Sequence, residues 1–150
     1  MFRMYSRGCE YAIWAMLDIA VHGRRGHVAV KDLCRRTKVP EPSTRKVVQR
    51  LVRRGLLRSV PGPSGGYQLS RTPERISILD IIQAIDGPGA LEVCVLGFPA
   101  CNDRTPCALH PTWNAARRSL LPALGKLTLQ DLMRDGYRRP VRSARVGLKR

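Results

Sequence analysis

The sequence predicts a mainly α-helical fold with one small β-hairpin. Apolar residues recur at helical spacing along several segments, and the pattern becomes extended only on either side of a glycine-rich turn over 61–66. The chain has 150 residues, of which 43% are hydrophobic, and this is enough for one modest core and a short appendage. We therefore expect an ordered globular body rather than a disordered chain.

Three short helices are predicted before the hairpin. The first covers Cys9 to Val21, and the second covers Val30 to Lys38. Pro42 suits the first turn of a third helix, which should end near Arg54 because a glycine follows. The inward face of the third helix is Val47, Val48, Leu51 and Val52, and its polar face is Ser43, Thr44, Arg45, Lys46, Gln49, Arg50 and Arg53.

The second half of the chain begins with the hairpin. Strands are predicted over 56–60 and 67–70, followed by a helix over 77–86 with an apolar face of isoleucine and leucine. A loop opened by Gly87-Pro88-Gly89 carries three cysteines, and residues 112–134 are again mostly helical, with a kink expected at Pro122. Three helices followed by a glycine-rich hairpin are typical of a winged helix-turn-helix.

Charge indicates the partner. The chain carries a formal net charge of +16, and the segment Tyr137 to Arg150 has six basic residues and no acidic one. The rest of the chain remains basic without this tail, so a polyanionic partner is expected, most commonly a nucleic acid. Charge alone leaves a membrane surface or a ribosomal contact open, and the features below favour double-stranded DNA. We expect the tail to be disordered and to strengthen binding in a salt-dependent, sequence-independent way.

The predicted DNA contacts lie on the third helix and the hairpin. A polar, arginine-rich helix alone is more often a solvated surface, but here it follows a tight turn and precedes a glycine-rich hairpin in a basic chain. Such a helix fits the major groove, about 12 Å wide, and glycines let the hairpin backbone approach phosphates. The predicted DNA-binding residues are Ser43, Thr44, Arg45, Lys46, Gln49, Arg50, Arg58, Ser64 and Gly65.

Cysteine usage points to metal or redox chemistry. Glu10 and Asp18 flank the first apolar run and no small-residue cleavage site follows it, so we expect a cytoplasmic protein without a membrane partner. Five cysteines in a reducing compartment argue against structural disulfides. Cys94, Cys101 and Cys107 have C-x6-C-x5-C spacing; thiolates are preferred iron–sulfur ligands, whereas a zinc ribbon needs closer pairs. Buried thiols without metal account for three cysteines equally well.

The hairpin also carries a family resemblance. The run from Gly55 to Leu69, with its Gly-Pro-x-Gly-Gly-Tyr segment, resembles the wing of the Rrf-type bacterial regulators, the IscR/NsrR family. Tyr11-Ala12, residues 76–87 and residues 128–132 are similar in order and spacing, so that the resemblance covers about residues 4 to 135. Pro42 and Ser43 stand where relatives usually carry other residues, so the operator sequence cannot be transferred.

The resemblance implies a layout and a function. A winged helix-turn-helix domain would cover residues 1–90, a cluster loop 91–110, a dimerisation helix region 111–136 and the basic tail 137–150. It implies a homodimer joined through the long C-terminal helix and bound to a partly palindromic DNA operator. We therefore predict a transcriptional repressor that senses redox state, nitric oxide or iron–sulfur status through an iron–sulfur cluster on the cysteine loop.

Two residues are candidates for a fourth cluster ligand. Cys107-x2-His110 followed by Trp113 resembles the IscR branch, which holds a [2Fe–2S] cluster with three cysteines and one histidine. Glu10 falls where the nitric-oxide-sensing branch has an acidic ligand, supplied by the partner subunit. Without a metal, Glu10 would be an ordinary acid in the first turn of a helix, and His110 would simply be a residue at a helix start. We expect His110 slightly ahead of Glu10, and [2Fe–2S] slightly ahead of [4Fe–4S].

Other assignments and functions remain open. Cys9 and Cys34 are expected to be small buried thiols on helices, although Cys9 adjoins Glu10; His22 and His27 are expected to be exposed and unpartnered. A regulator using thiol oxidation without metal, or a nucleic-acid binder without sequence preference, would share these features. An enzyme that uses Cys107 as nucleophile with His110 is disfavoured, because these two residues need not face each other and no orienting acid is evident. Neither a glycine-rich phosphate loop nor paired carboxylates are evident, so no small-molecule substrate is expected.

Overall fold

The computed structural model describes residues 4–135. The tail predicted over 137–150 lies outside this range, so the expectation about it stays a prediction. The elements in chain order are α1 Arg7–His22, a 3-10 turn Gly23–Arg25, α2 Val30–Thr37, α3 Glu41–Arg53, β1 Leu57–Val60, β2 Gly66–Leu69, a 3-10 turn Pro73–Arg75, α4 Ile78–Asp86, α5 His110–Lys126 and α6 Leu129–Arg134. The predicted class, mainly α with a small hairpin, is confirmed.

Helix α1 is the centre of the fold. It begins at Ser6, whose hydroxyl accepts a hydrogen bond from the Cys9 amide at 3.1 Å and satisfies one of the free N–H groups of the first turn. It contacts α2, α3, α4, α6 and β2. Ala12, Met16 and Ile19 are buried along it, and the small alanine lets neighbouring helices approach closely.

The turn between α2 and α3 positions the third helix. Lys38 ends α2 in the left-handed conformation, with φ of 62°, and its amide donates to the Cys34 carbonyl at 2.9 Å. Pro40 then precedes α3 with extended backbone, and its ring fixes φ, which is −61° here. Leu33, Val48 and Leu51 are buried between these helices and α1.

A buried ion pair joins α1 to α2. The Asp18 carboxylate is fully buried and accepts two hydrogen bonds from the Arg36 guanidinium, at 2.9 Å from Nε and 2.7 Å from Nη2. His22 Nδ1 lies 3.2 Å from the same carboxylate. A bidentate partner compensates part of the desolvation of a buried carboxylate, so this contact fixes α2 against α1.

The hairpin is attached to the helical body through the segment after α1. Strands β1 and β2 pair antiparallel, with Leu57 opposite Leu69 and Val60 opposite Gly66. The Val28 amide donates to the Tyr67 carbonyl at 2.8 Å, and the Tyr67 amide donates to the Val28 carbonyl at 2.9 Å. These two bonds form an isolated antiparallel β-bridge between β2 and the segment after α1. Gly66 is required here because a Cβ atom would lie 2.4 Å from the Val28 carbonyl oxygen.

The C-terminal region is mostly helical, as predicted for residues 112–134, but it consists of two helices. Helix α5 begins earlier, at His110, and the chain is extended at Leu127 and Thr128 before α6 begins. The interruption has a local cause: Thr128 and Asp131 form a capping box, and the Ile78 amide donates to the Leu127 carbonyl at 2.8 Å. Pro122 lies inside α5, and Leu129 anchors α6 in the core.

Helix α5 contacts the rest of the fold along one narrow face, mainly against α4. None of its side chains is buried, and Leu121 and Leu124 are half-buried against the core. Four large apolar side chains before it, Val93, Leu96, Phe98 and Leu109, are exposed. Among residues 4–135, every helix is too short or too polar to span a lipid bilayer.

Candidate functional site

The three loop cysteines converge. The sulfur atoms of Cys94, Cys101 and Cys107 all lie within 4.8 Å of one another, and each residue is half-buried. The Sγ atoms of Cys94 and Cys107 are 3.8 Å apart, well beyond the S–S bond length of about 2.05 Å, and all three cysteines are free thiols. The loop between α4 and α5 therefore presents three sulfur donors to one point.

Turns in the loop bring these sulfurs together. Gly97 has φ of 77°, which favours glycine, and its amide donates to the Cys94 carbonyl at 2.9 Å. The Asn102 side-chain oxygen accepts from the amides of Arg104 and Thr105 at 2.8 and 3.1 Å. The His110 amide donates to the Cys107 carbonyl at 3.0 Å and leads into α5. Consecutive turns replace the regular ladder that a helix or strand would provide.

The electrostatics of the three sulfurs suit a cation. Partial desolvation raises the pKa of Cys94, but the amides of Phe98 and Leu96 and the neighbouring thiols outweigh it and lower the pKa to about 7. For Cys101, the Cys107 amide lowers the pKa, yet desolvation and the two adjacent thiols together raise it above its usual value. Thiolates this close repel one another, and a metal centre between them removes that repulsion. The donor set thus fits a metal or an iron–sulfur cluster.

His110 adjoins the three-sulfur group. Its Nδ1 atom lies 3.3 Å from Cys101 Sγ, while its Nε2 atom lies 2.9 Å from the Asp103 carboxylate. The imidazole is mostly shielded, whereas Asp103 is largely exposed; the hydrogen bond from His110 is the main cause that lowers the pKa of Asp103. Glu10 lies half-buried on α1 and does not belong to the three-sulfur group within one chain.

A cavity of about 480 Å³ lies between the cysteine loop and α5. Cys94, Cys101 and His110 line one side, and Trp113 and Arg117 line the helix side. The Trp113 indole donates to the Val93 carbonyl at 2.9 Å and ties α5 to the start of the loop. The cluster candidates therefore face an open space next to a helix with no buried face.

The two remaining cysteines lie on helices, and the expected burial holds for Cys9 but not fully for Cys34. Cys9 is fully buried on α1, and burial, with a smaller contribution from the Asp86 charge, raises its pKa to about 12. Cys34 is half-buried on α2. Neither belongs to the three-sulfur group.

The polar face of α3 is exposed at most of the expected positions. Arg45, Lys46, Gln49 and Arg50 are exposed and Ser43 is half-buried. The sequence missed one pairing: Arg45 Nε donates to the Glu41 carboxylate at 3.0 Å, at i,i+4 spacing that could have indicated it. The face remains strongly cationic.

Thr44 requires a correction. The sequence pattern placed it on the polar face, but its side chain is fully buried and its hydroxyl donates to the Pro40 carbonyl at 2.9 Å. A threonine in the first turn can bond to the preceding carbonyl, which lets it point inward without an unsatisfied hydroxyl. Thr44 therefore stabilises the start of α3 and cannot contact DNA bases with this side chain.

The wing tip has a neighbour that the sequence did not reveal. Arg58 and Ser64 are exposed, and Gly65 is half-buried in the turn, where a Cβ atom would lie 2.2 Å from the Val60 carbonyl oxygen. The His27 ring contacts the Ser64 carbonyl. His22 and His27 are exposed, as expected, but both have partners, since His22 also contacts the Asp18 backbone. No local pattern could have joined residues 37 positions apart.

Sequence comparison identifies the family of the chain. The family model for Rrf2, described as an iron-dependent transcriptional regulator, matches residues 5–135. The HTH-type transcriptional regulator IscR of Xenorhabdus nematophila is 32% identical over 133 residues, which cover 89% of this chain and 80% of that protein.

Solved structures share the fold. An IscR structure from T. potens has a TM-score of 0.69 and 29% identity, covering 87% of this chain and 85% of that one. CymR, the global cysteine regulator of B. subtilis, has a TM-score of 0.75 over 90% of this chain and 98% of its own, at 24% identity, which supports the winged-helix fold alone. The chain belongs to the Rrf2 family of transcriptional regulators.

Proposed function

We propose that this regulator holds an iron–sulfur cluster on Cys94, Cys101 and Cys107 and that cluster occupancy controls its affinity for a DNA operator. The observation that carries the proposal is the convergence of three sulfurs within 4.8 Å in one loop of an Rrf2-family chain. When bound, such a cluster supplies a centre that responds to redox state, iron supply or nitric oxide. The relatives named IscR are consistent with this role.

His110 is the proposed fourth ligand. Its Nδ1 atom points toward Cys101 within the same chain, at 3.3 Å from the sulfur. Glu10 would have to come from a partner subunit, so it remains the alternative. Three cysteines and one histidine favour a [2Fe–2S] cluster, and a [4Fe–4S] cluster is the second possibility.

The DNA interface is proposed on α3 and the wing. Ser43, Arg45, Lys46, Gln49 and Arg50 form the exposed or half-exposed face of α3. Arg58, Ser64 and Gly65 form the wing part, and cationic side chains in both parts can contact phosphates. Thr44 is removed from this set. The partner is a double-stranded operator, and the proposed effect of binding is repression.

A homodimer is proposed through α5 and the cysteine loop. Helix α5 buries none of its side chains in one chain, and Val93, Leu96, Phe98 and Leu109 are exposed beside it. Large apolar side chains grouped on a surface favour association, because burying them removes apolar area from water. In this layout residues 1–90 bind DNA, 91–110 hold the cluster and 111–136 join the subunits.

The coupling would act through the spacing of two α3 helices. Half-sites on DNA lie about one helical turn apart, so a shift of a few ångströms between the helices changes how many phosphates and bases both can contact. The loop cysteines and α5 are linked by Trp113 and His110, so order in the loop is transmitted to the dimer helix. Only a difference in cluster affinity between two dimer arrangements can shift their balance.

The test uses the full chain purified without oxygen. We expect visible absorption, equimolar iron and sulfide, and operator affinity that differs at least tenfold between cluster-loaded and cluster-free protein at fixed salt. Cys101→Ala should abolish the absorption, whereas the matched control Cys34→Ala should retain it. Equal operator affinities with and without cluster would refute the switch, and protein without iron would refute the cluster.

A second candidate function rests on the 3.8 Å separation of the Cys94 and Cys107 sulfurs. Two thiols this close can form a disulfide by giving two electrons and two protons to an oxidant such as hydrogen peroxide, which is reduced to water. Peroxide-dependent operator release by iron-free protein, reversed by dithiothreitol, would support this sensor. Binding that an excess of unrelated DNA removes completely would instead indicate a binder without sequence preference. In either case we propose that the chain acts by binding and not by catalysis.

A further inference from the structure

We propose that Asp103, supported by Asn114 and Arg117, fixes His110 in the tautomer that leaves Nδ1 free to bind the metal centre. This inference rests on the proposed iron–sulfur function and adds positioning residues that lie outside the ligand set. It concerns which imidazole nitrogen carries the proton and what holds it there.

The contact between His110 and Asp103 assigns the imidazole proton. Asp103 Oδ1 lies 2.9 Å from His110 Nε2, and a carboxylate can only accept, so Nε2 carries the proton. A neutral imidazole has one proton, so Nδ1 then has a free lone pair, and this atom faces Cys101 Sγ at 3.3 Å. Metal-binding histidines commonly donate their other ring N–H to a carboxylate, which orients the ring and raises its basicity.

Asn114 extends this arrangement into α5. Its amide nitrogen lies 3.4 Å from Asp103 Oδ1 and 2.9 Å from His110 Nε2. With Nε2 donating to Asp103, the Asn114 amide donates to the same carboxylate, and its 2.9 Å approach to Nε2 is a contact between two donors rather than a hydrogen bond. The side-chain oxygen of Asn114 accepts from Arg117, which fixes which end of the amide faces Asp103.

Arg117 anchors the series to the body of the protein. Its Nη1 atom lies 3.4 Å from the Leu91 carbonyl, and Leu91 is buried in the core. The side chain is half-buried in the cavity wall between α5 and the loop. Asp103 is itself 91% exposed, so without Asn114 its carboxylate would have little to hold it beside the imidazole. The hydrogen-bonded series therefore runs from Arg117 through Asn114 and Asp103 to His110.

The test observes the imidazole directly in cluster-free, full-length protein. Nitrogen-15 NMR at about pH 8.5, where an ordinary histidine is neutral, distinguishes the two tautomers. His110→Gln assigns the His110 signals against those of His22 and His27. We expect the Nε2–H tautomer in the wild type and in Asp103→Asn, which keeps an acceptor oxygen, and a mixture of tautomers in Asp103→Ala. The matched control Asp135→Ala removes the exposed aspartate that follows α6 and should not change the signals.

A second measurement connects the tautomer to metal binding. After reconstitution with ferrous iron and sulfide, Asp103→Ala and Asn114→Ala should bind the cluster roughly 10- to 100-fold more weakly than wild type, while Asp103→Asn is largely rescued. An Nδ1–H tautomer in the wild type, or an unchanged tautomer in Asp103→Ala, overturns the inference. Wild-type protein that takes up no cluster overturns the proposed function instead, and the tautomer measurement still decides whether Asp103 positions His110.

Discussion

Gly66→Ala is the most informative single change in the DNA-binding half of the protein. A Cβ atom at this position would lie 2.4 Å from the Val28 carbonyl oxygen and 2.9 Å from the Ala29 nitrogen. Carbon and carbonyl oxygen ordinarily stay about 3.3 Å or more apart, so the wing must move by about 1 Å from the segment after α1. Both obstacles are backbone atoms, which cannot move aside as a side chain would.

The magnitude follows from what that movement breaks. The two hydrogen bonds between Val28 and Tyr67, at 2.8 and 2.9 Å, contribute about 1 kcal/mol each, and relief of the overlap costs about 1–3 kcal/mol. We expect the free energy of unfolding to fall by about 3–5 kcal/mol, which leaves a domain of average stability, about 10 kcal/mol, folded. Operator affinity should fall at least tenfold, because the wing no longer holds its position beside α3.

Two assays check this expectation against a matched control. Urea unfolding reports the loss of stability, and hydrogen exchange should show faster exchange at the Val28 and Tyr67 amides specifically. Gly89→Ala is the control, because its Cβ would meet nothing closer than Glu92 Oε2 at 3.9 Å. A Gly66→Ala protein whose two amides exchange as slowly as in the wild type, with unchanged operator affinity, would refute the reasoning.

Three further predictions concern the buried ion pair, a helix cap and the tail. Arg36→Ala should lower the free energy of unfolding by about 3 kcal/mol, and Asp18→Asn should lower it by less. The first change leaves the fully buried Asp18 carboxylate without its guanidinium partner, whereas the second leaves Arg36, which is 31% exposed and can contact water. Equal losses in urea unfolding would contradict this. Hydrogen bonds from Thr128, mainly from its amide and secondly from its hydroxyl, lower the pKa of Asp131. The capping box should therefore stabilise α6 fully above the carboxyl's ordinary pKa of 3.8, and this stabilisation should be lost as the pH falls through the lower pKa of the folded state. Asp131→Asn should therefore flatten the acid limb of a thermal-unfolding series, and an unchanged limb would argue against the cap. Truncation after Gly136 should lower DNA affinity and reduce the salt dependence while operator preference is retained, which titrations at several salt concentrations can check.

Local sequence patterns predicted much of the fold. Helical periodicity located α1 to α4 to within a few residues, because one apolar stripe had to face one core. The glycine-rich turn located the hairpin, since few residues other than glycine allow so tight a backbone approach. The division between α5 and α6 was not predicted, because a capping box and a hydrogen bond from Ile78 interrupt a segment that is otherwise helical.

The site was predicted in part. The three cysteines were recognised from residue type and spacing, and the structure brings their sulfurs together. Asp103, Asn114 and Arg117 were not identified, because an aspartate two residues after a cysteine and two polar residues on a helix carry no specific signal. Thr44 was misplaced for a related reason: helical periodicity assigns a face, but a hydroxyl that bonds its own backbone can be buried like an apolar group.

The order of helices and hairpin, the basic character and the set of sulfur donors were determined by the sequence alone, since each depends on residues near one another in the chain. Tertiary structure decided which of these residues meet: His27 with the wing, Asp18 with Arg36, and His110 with Asp103 beside the sulfurs. Such contacts depend on turns and on packing between distant segments. The free energy that selects them comes from the whole core, so that no single local sequence pattern predicts them.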